Sequence, residues 1–172
     1  SAWMLGMGAA VLAPVYMTSL NRAKTTEAID ELDKMYKSSS YYYSSPRVAR
    51  GTGMKLPCQF PASQGMTPDV SNLNCCGGKN DLDKDDRCDV DTSQWTSDTW
   101  SALNFQMNDQ HYFGYAYTSS GTGATAKFTA SAHADLDCDG VLSTFERYGY
   151  GDASATCSMR GSPAFYKNNE TE

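Results

Sequence analysis

The stretch ADLDCDGVLSTFE, residues 134–146, concentrates more potential chemistry than any other part of the chain. Asp135, Asp137 and Asp139 alternate, Gly140 follows, and Val141, Ser143 and Glu146 stand at places seven, nine and twelve counted from Asp135. Oxygen ligands at that spacing, with a glycine at the bend and a backbone carbonyl at the seventh place, are how a twelve-residue loop wraps calcium. The metal set read from the sequence is therefore Asp135, Asp137, Asp139, the Val141 carbonyl and Glu146, with calcium as the expected cofactor. Both flanks read as strands rather than helices, so the expectation is a calcium loop between two strands and not an EF-hand. Glu146 is the weakest member, because a strand after Ser143 would carry it away from the ion. The plain alternative is an acidic hairpin turn, aspartate and glycine both being turn formers. Three aspartates within five residues repel one another, which favours the ion.

A second acidic run, NDLDKDDRCDVD at residues 80–91, echoes the spacing with Asp81, Asp83 and Asp85. It lacks the glycine and is offset by Lys84 and Arg87, so it reads as a solvated loop. Trp95, Trp100, Tyr112, Tyr115 and Tyr117 offer stacking surfaces for a carbohydrate, yet aromatics on alternating strand positions are more often core. GTGATAK at 121–127 lacks the full phosphate-loop pattern, and neither G-x-S-x-G nor H-E-x-x-H occurs. No catalytic or organic-cofactor constellation is found, and the chain reads as a non-enzyme. Asn169-Glu170-Thr171 is a formal glycosylation sequon.

Composition narrows the field. A net charge of −6 argues against a nucleic-acid partner. Six cysteines stand at positions 58, 75, 76, 88, 138 and 157 with no C-x-x-C pair, and both histidines are distant in sequence from the cysteine cluster. That pattern favours disulfides in an oxidising compartment over a zinc site.

The elements that must position these residues begin with SAWMLGMGAAVLAPVYM, an apolar run with no charge before Arg22. No basic region precedes it and it flows into a helical pattern, so it reads as retained rather than as a cleaved signal. Ile29, Leu32, Tyr36 and Tyr43 recur at helical spacing, with Glu27, Asp30, Asp33, Lys34 and Lys37 on the polar side. Ser44-Ser45-Pro46 ends the pattern, since the residue before proline avoids helical geometry. The first 45 residues thus predict one helix of about 65 Å, too long for a small domain to cover. Residues 46–100 read as an irregular, cysteine-stapled loop region. From Ala102 the period becomes two, through ALNFQM, HYFGYAYT and AKFTASAHA, and VLSTFERYGY is β-rich by composition, giving an antiparallel meander of about four strands. The tail SPAFYKNNETE reads as irregular. The expected fold is α+β: a long N-terminal helix, apolar then amphipathic, packed on a C-terminal antiparallel sheet of about four strands. Residues 1–20 form the apolar stalk and 21–172 the globular head.

In this order, Pro14, Arg22, Lys24, Glu27, Leu32, Tyr36 and Tyr42–Tyr43 resemble the N-terminal helix of type IV pilins. WSALNFQMNDQHYFGYAYTSSG with FTASAHADLDCDGVLSTFE is similar to the sheet region of pilins from myxobacteria and their relatives. The family's mature start, with its glutamate at the fifth position, is not found in this chain. The family's pattern places about eight more residues before Ser1, and either these precede Ser1 or the protein is divergent and processed differently. The resemblance implies a subunit of an extracellular filament, a helical homopolymer built through the apolar helix. It implies as partners the inner membrane before assembly and the pilus assembly machinery. A pseudopilin of a type II secretion system is the alternative within the family. A membrane-anchored, calcium-stabilised binding domain that never polymerises is the alternative outside it. Gly6, Gly8 and Pro14 predict a break in helical hydrogen bonding along the stalk. Cys138 and Cys157 stand apart from the pilin-like pattern, so they are expected to pair with each other, leaving the other four to pair among themselves.

Overall fold

The computed structural model describes residues 24–161 and 166–168. The apolar stretch 1–20, its expected helix break and the glycosylation sequon lie outside the described residues. The first element, α1, spans residues 24–44. Its buried stripe is Ala28, Leu32, Met35, Ser39 and Tyr43, spaced three and four apart as one helix face requires. Ser39 is tolerated there because its hydroxyl donates to the Met35 carbonyl at 2.7 Å and pairs with the Tyr117 hydroxyl at 2.8 Å. The helix stops at 44 because the chain caps itself. Ser45 reaches the Tyr41 carbonyl at 2.6 Å, and Arg47 donates to the Tyr42 carbonyl while stacking over the Tyr42 ring at 3.7 Å. A cation at a helix C-terminus satisfies orphan carbonyls and complements the dipole.

Six antiparallel strands form one sheet: β1 (Gln64–Thr67), β2 (Gly114–Ser120), β3 (Lys127–Ala134), β4 (Ser143–Gly151), β5 (Met159–Gly161) and β6 (Tyr166–Asn168). The order is β1-β2-β3-β4-β5, with β6 also on β4. The far edge of β4 is shared, Thr144–Glu146 pairing with β6 and Gly149–Gly151 with β5. Phe128, Ala130, Ala132 and Ala134 alternate inward on β3, and the small alanines let α1 lie close to the sheet. Around them Tyr43 stacks on Phe60 at 4.7 Å, Phe60 meets Phe128 at 4.7 Å, and Tyr117 stacks on Phe128 at 5.3 Å. Arg147 also points inward, pairing with Asp33 at 2.6 Å and covering the Tyr36 ring at 4.0 Å.

The expected architecture is therefore corrected. Among the described residues the one long helix is about 21 residues, and the sheet has six strands rather than about four. The missed strands are four, three and three residues long, too short to show a period of their own, and they exist because the edges of β2 and β4 pair with them. ALNFQM is not a strand. Leu103, Phe105 and Met107 are buried, but residues Asp98–Ala102 form a short helix, α2. It ends in a Schellman turn: Asn104 adopts φ 49°, Phe105 N–H donates to the Trp100 carbonyl at 2.9 Å, and Asn104 N–H to Ser101 at 3.1 Å. Alternate burial here comes from a helix end, not a ladder.

Candidate metal centre

The β3–β4 connection brings Asp135, Asp137 and Asp139 together, one carboxylate oxygen from each lying within 4.8 Å of the others. Oxygens bound to one calcium at about 2.4 Å can stand up to about 4.8 Å apart, so the cluster fits that ion. The turn is held by its own backbone. Asp139 and Gly140 N–H groups donate to Asp135 at 3.1 and 2.8 Å, and the Val141 N–H donates to Asp139 at 2.8 Å. Cys138 takes φ 60° and Gly140 φ 91°, which lets the chain reverse so sharply. Burial, and then the neighbouring Asp139 carboxylate, hold Asp137 above the usual carboxylate range. Lys24, at the start of α1, ties the turn to the helix by donating to the Leu136 carbonyl at 3.1 Å.

Glu146 does not join this group. It sits in β4 opposite Ser131, on the outward face with Thr144, where the strand has carried it away from the turn. Val141 stays beside the cluster through its amide, half-exposed.

The second acidic run is exposed at Asp83, Lys84 and Asp86, as its composition suggests, but Asp81 within it turns inward. Asp81 is fully buried and accepts three backbone N–H bonds, from Gly77, Asp85 and Asp86, at 2.7, 3.0 and 2.9 Å. Burial works to raise its carboxyl, but these donors together bring it below the ordinary carboxylate range. Asp83, Asp85 and Asp89 place carboxylate oxygens within the same 4.8 Å span of Asp81. Asp85 is committed to Arg87 at 3.0 Å and Asp83 accepts from Gln110 at 2.9 Å. The only sequence signal was the echoed spacing.

Three disulfides are formed: Cys75–Cys88 and Cys76–Cys138 hold the two acidic loops, and Cys58–Cys157 lies at the other end of the sheet. The expected Cys138–Cys157 pair is overturned. Those two cysteines follow β3 and β4, at opposite ends of a nine-residue strand, about 30 Å apart where a disulfide spans about 7 Å at most between Cα atoms. Cys138 instead joins Cys76, with Cα atoms 5.8 Å apart, which fastens the 135–139 turn to the 76–89 loop. His111 comes beside the cysteines, its backbone bridging to Cys88, while its ring pairs with the Phe113 carbonyl at 2.7 Å. Burial pushes its imidazole down to about 4.

Glu27, read from the sequence as part of the polar helix face, is turned to the sheet. Its carboxylate accepts from Tyr112 N–H at 2.9 Å, Phe113 N–H at 3.1 Å and the Tyr115 hydroxyl at 2.7 Å. Burial pushes it up to about 7 against the pull of those three bonds. Trp95, Trp100, Tyr115 and Tyr117 are all buried in the core. A recess of about 610 Å³ lies between α1 and residues 103–108, lined by Glu31, Lys34, Lys37 and the amides of Asn104, Gln106 and Asn108. Its lysines are paired with Glu31 and Asp33.

Among the described residues no helix is long and apolar enough to cross a membrane. The chain matches no family model, no curated protein and no solved structure.

Proposed function

We propose that this protein is a structural subunit of an extracellular filament of the type IV pilus kind, assembled through residues 1–20, and that the 135–139 turn holds calcium. One observation carries the reading. An apolar run without charge before Arg22 leads into α1, and α1 is already half-covered by the sheet of its own chain. The run therefore needs cover from elsewhere. Gly6, Gly8, Ala9, Ala10 and Ala13 permit the close backbone approach that helix association in an apolar setting uses. Three disulfides suit an oxidising, extracellular-like setting. The calcium reading is supported by the convergence of three carboxylates on a turn whose backbone already holds them in place.

Electron microscopy of the full chain beside a chain beginning near Asn21 tests the assembly. Filaments are expected from the first and dispersed monomers from the second. Filaments of the same kind from the shortened chain would remove residues 1–20 from the polymer contact.

A further inference from the structure

The strands run between two ends of the molecule that differ in charge. At one end lie the β3–β4 turn, the 79–91 loop and the start of α1. Segments 79–91 and 134–141 hold nine aspartates against three basic residues. At the other end lie the last turn of α1, the segment 46–58 and the start of β3. Tyr43 bonds there to Gly123, Gly123 bonds to Cys58, and Cys58 joins Cys157. Segment 46–58 carries three basic residues and no acidic one. Lys127 and Arg160 flank Tyr150 in the sheet register at this same end. Arg50, Lys55 and Lys127 make no ion pair among the described residues. β3, at eight residues, sets the two ends about 26 Å apart.

Both ends also expose apolar side chains. Val48, Met54 and Tyr150 are 62%, 69% and 47% exposed at the basic end, and Leu82 and Val141 are 79% and 44% exposed at the acidic one. Apolar side chains rimmed by charge of one sign are how docking surfaces differ from ordinary surface. Here each end complements the other in sign. With −6 overall, two copies repel in most orientations, and attraction arises where the basic end of one meets the acidic end of the next.

We infer that the basic end, residues 46–58 with Lys127 and Tyr150, docks onto the acidic end, residues 79–91 and 134–141, of a second copy of this chain. The contact is heterologous, so it repeats rather than closing into a pair. It deepens the filament reading by adding a head-to-head-group contact to the one made by residues 1–20, but it does not depend on that run.

Zero-length carbodiimide cross-linking of the full chain is the test. A direct amide between Lys55 or Lys127 and an aspartate of 81–89 cannot form within one chain across about 26 Å, so it reports a second copy. Expected are such links in the peptide map and a ladder continuing past dimer, weakening as salt rises. K55E/K127E and D83K/D86K chains should each assemble about tenfold more slowly at low salt, and an equimolar mixture should recover. Melting curves matching the wild type show that these variants fold, and the wild-type cross-links need no variant at all. Filaments without these links, unaffected by either variant, would overturn the contact and leave the filament reading standing. Links and a ladder without filaments would do the reverse. A ladder that stops at dimer also overturns it.

Discussion

Glu27 has three donors on its carboxylate and no ion pair among the described residues. Its carboxyl rises from 4.5 in the unfolded chain to about 7 in the folded one because burial outweighs the hydrogen bonds. The folded state then holds a proton that the unfolded chain has released. Its contribution to stability is complete below about 4.5 and is lost as pH rises through about 7. The window is worth on the order of 3 kcal/mol. His111 has the opposite slope. Its imidazole falls from 6.5 to about 4, so its contribution is present above 6.5 and lost as pH falls through 4. The wild type alone therefore mixes the two, and a comparison with Glu27→Gln separates them. The advantage of wild type over Glu27→Gln in urea midpoint should be larger at pH 4 than at pH 8. An equal gap at both would mean Glu27 does not titrate in this range. Helical spacing sets Glu27 on the polar side of α1, and nothing in that spacing marks it as buried. Only the three donors at the entry to β2, more than 80 residues on, turn it inward.

The elements divide by length in how well they could be read beforehand. β3 alternates without a break over eight residues and follows from period two, whereas β4, with Glu146 and Arg147 both half-buried, is legible only from its β-rich composition. α2 is a five-residue helix whose Schellman turn mimics a strand in burial. Its turn makes a direct prediction. Asn104 at φ 49° should accept glycine with little change, whereas Asn104→Val should lower stability by about 1–2 kcal/mol in denaturant titration. The β3–β4 turn is legible as three aspartates on alternate residues, and so is the weakness of Glu146, because the strand begins at Ser143 and takes over its direction. If the turn holds calcium only when folded, excess ion stabilises by mass action, about 2.7 kcal/mol at a hundredfold over the dissociation constant. For a chain of this size that raises the melting temperature by roughly 2–4 °C per kcal/mol. Chelation should reverse the rise, and Asp137→Asn with Asp139→Asn should make the two melts coincide. Identical melts of the unaltered protein with calcium and with chelator would leave the turn as a metal-free hairpin.

At the scale of the molecule, the disulfides partition the irregular chain between the two ends of the sheet. Cys75–Cys88 and Cys76–Cys138 fasten the acidic loops, and Cys58–Cys157 fastens segment 46–58 to the β4–β5 connection. Adjacent cysteines at 75 and 76 thus serve different neighbours, one within its own loop and one reaching across to the turn. Spacing in the sequence could not choose among the pairings, because the distances that decide them are set by strand length. The consequence is local as well as global. Cys58–Cys157 closes a separation of 99 residues and Cys75–Cys88 one of 13, so on chain entropy the first restrains the unfolded chain more, by about 4.7 against about 3 kcal/mol. Serine at 58 and 157 should therefore lower stability further than serine at 75 and 88. Hydrogen exchange should tell the ends apart. Loss of Cys58–Cys157 should speed exchange in 47–58 and 152–160 while Asp85 and Asp86 amides, both held by buried Asp81, stay protected. Loss of Cys76–Cys138 should do the opposite, exposing the amides of Asp139 and Gly140 and leaving the Tyr43–Gly123 contact in place. Uniform exchange at both ends from either variant would mean that the sheet does not isolate them and that the disulfides act on the unfolded chain alone.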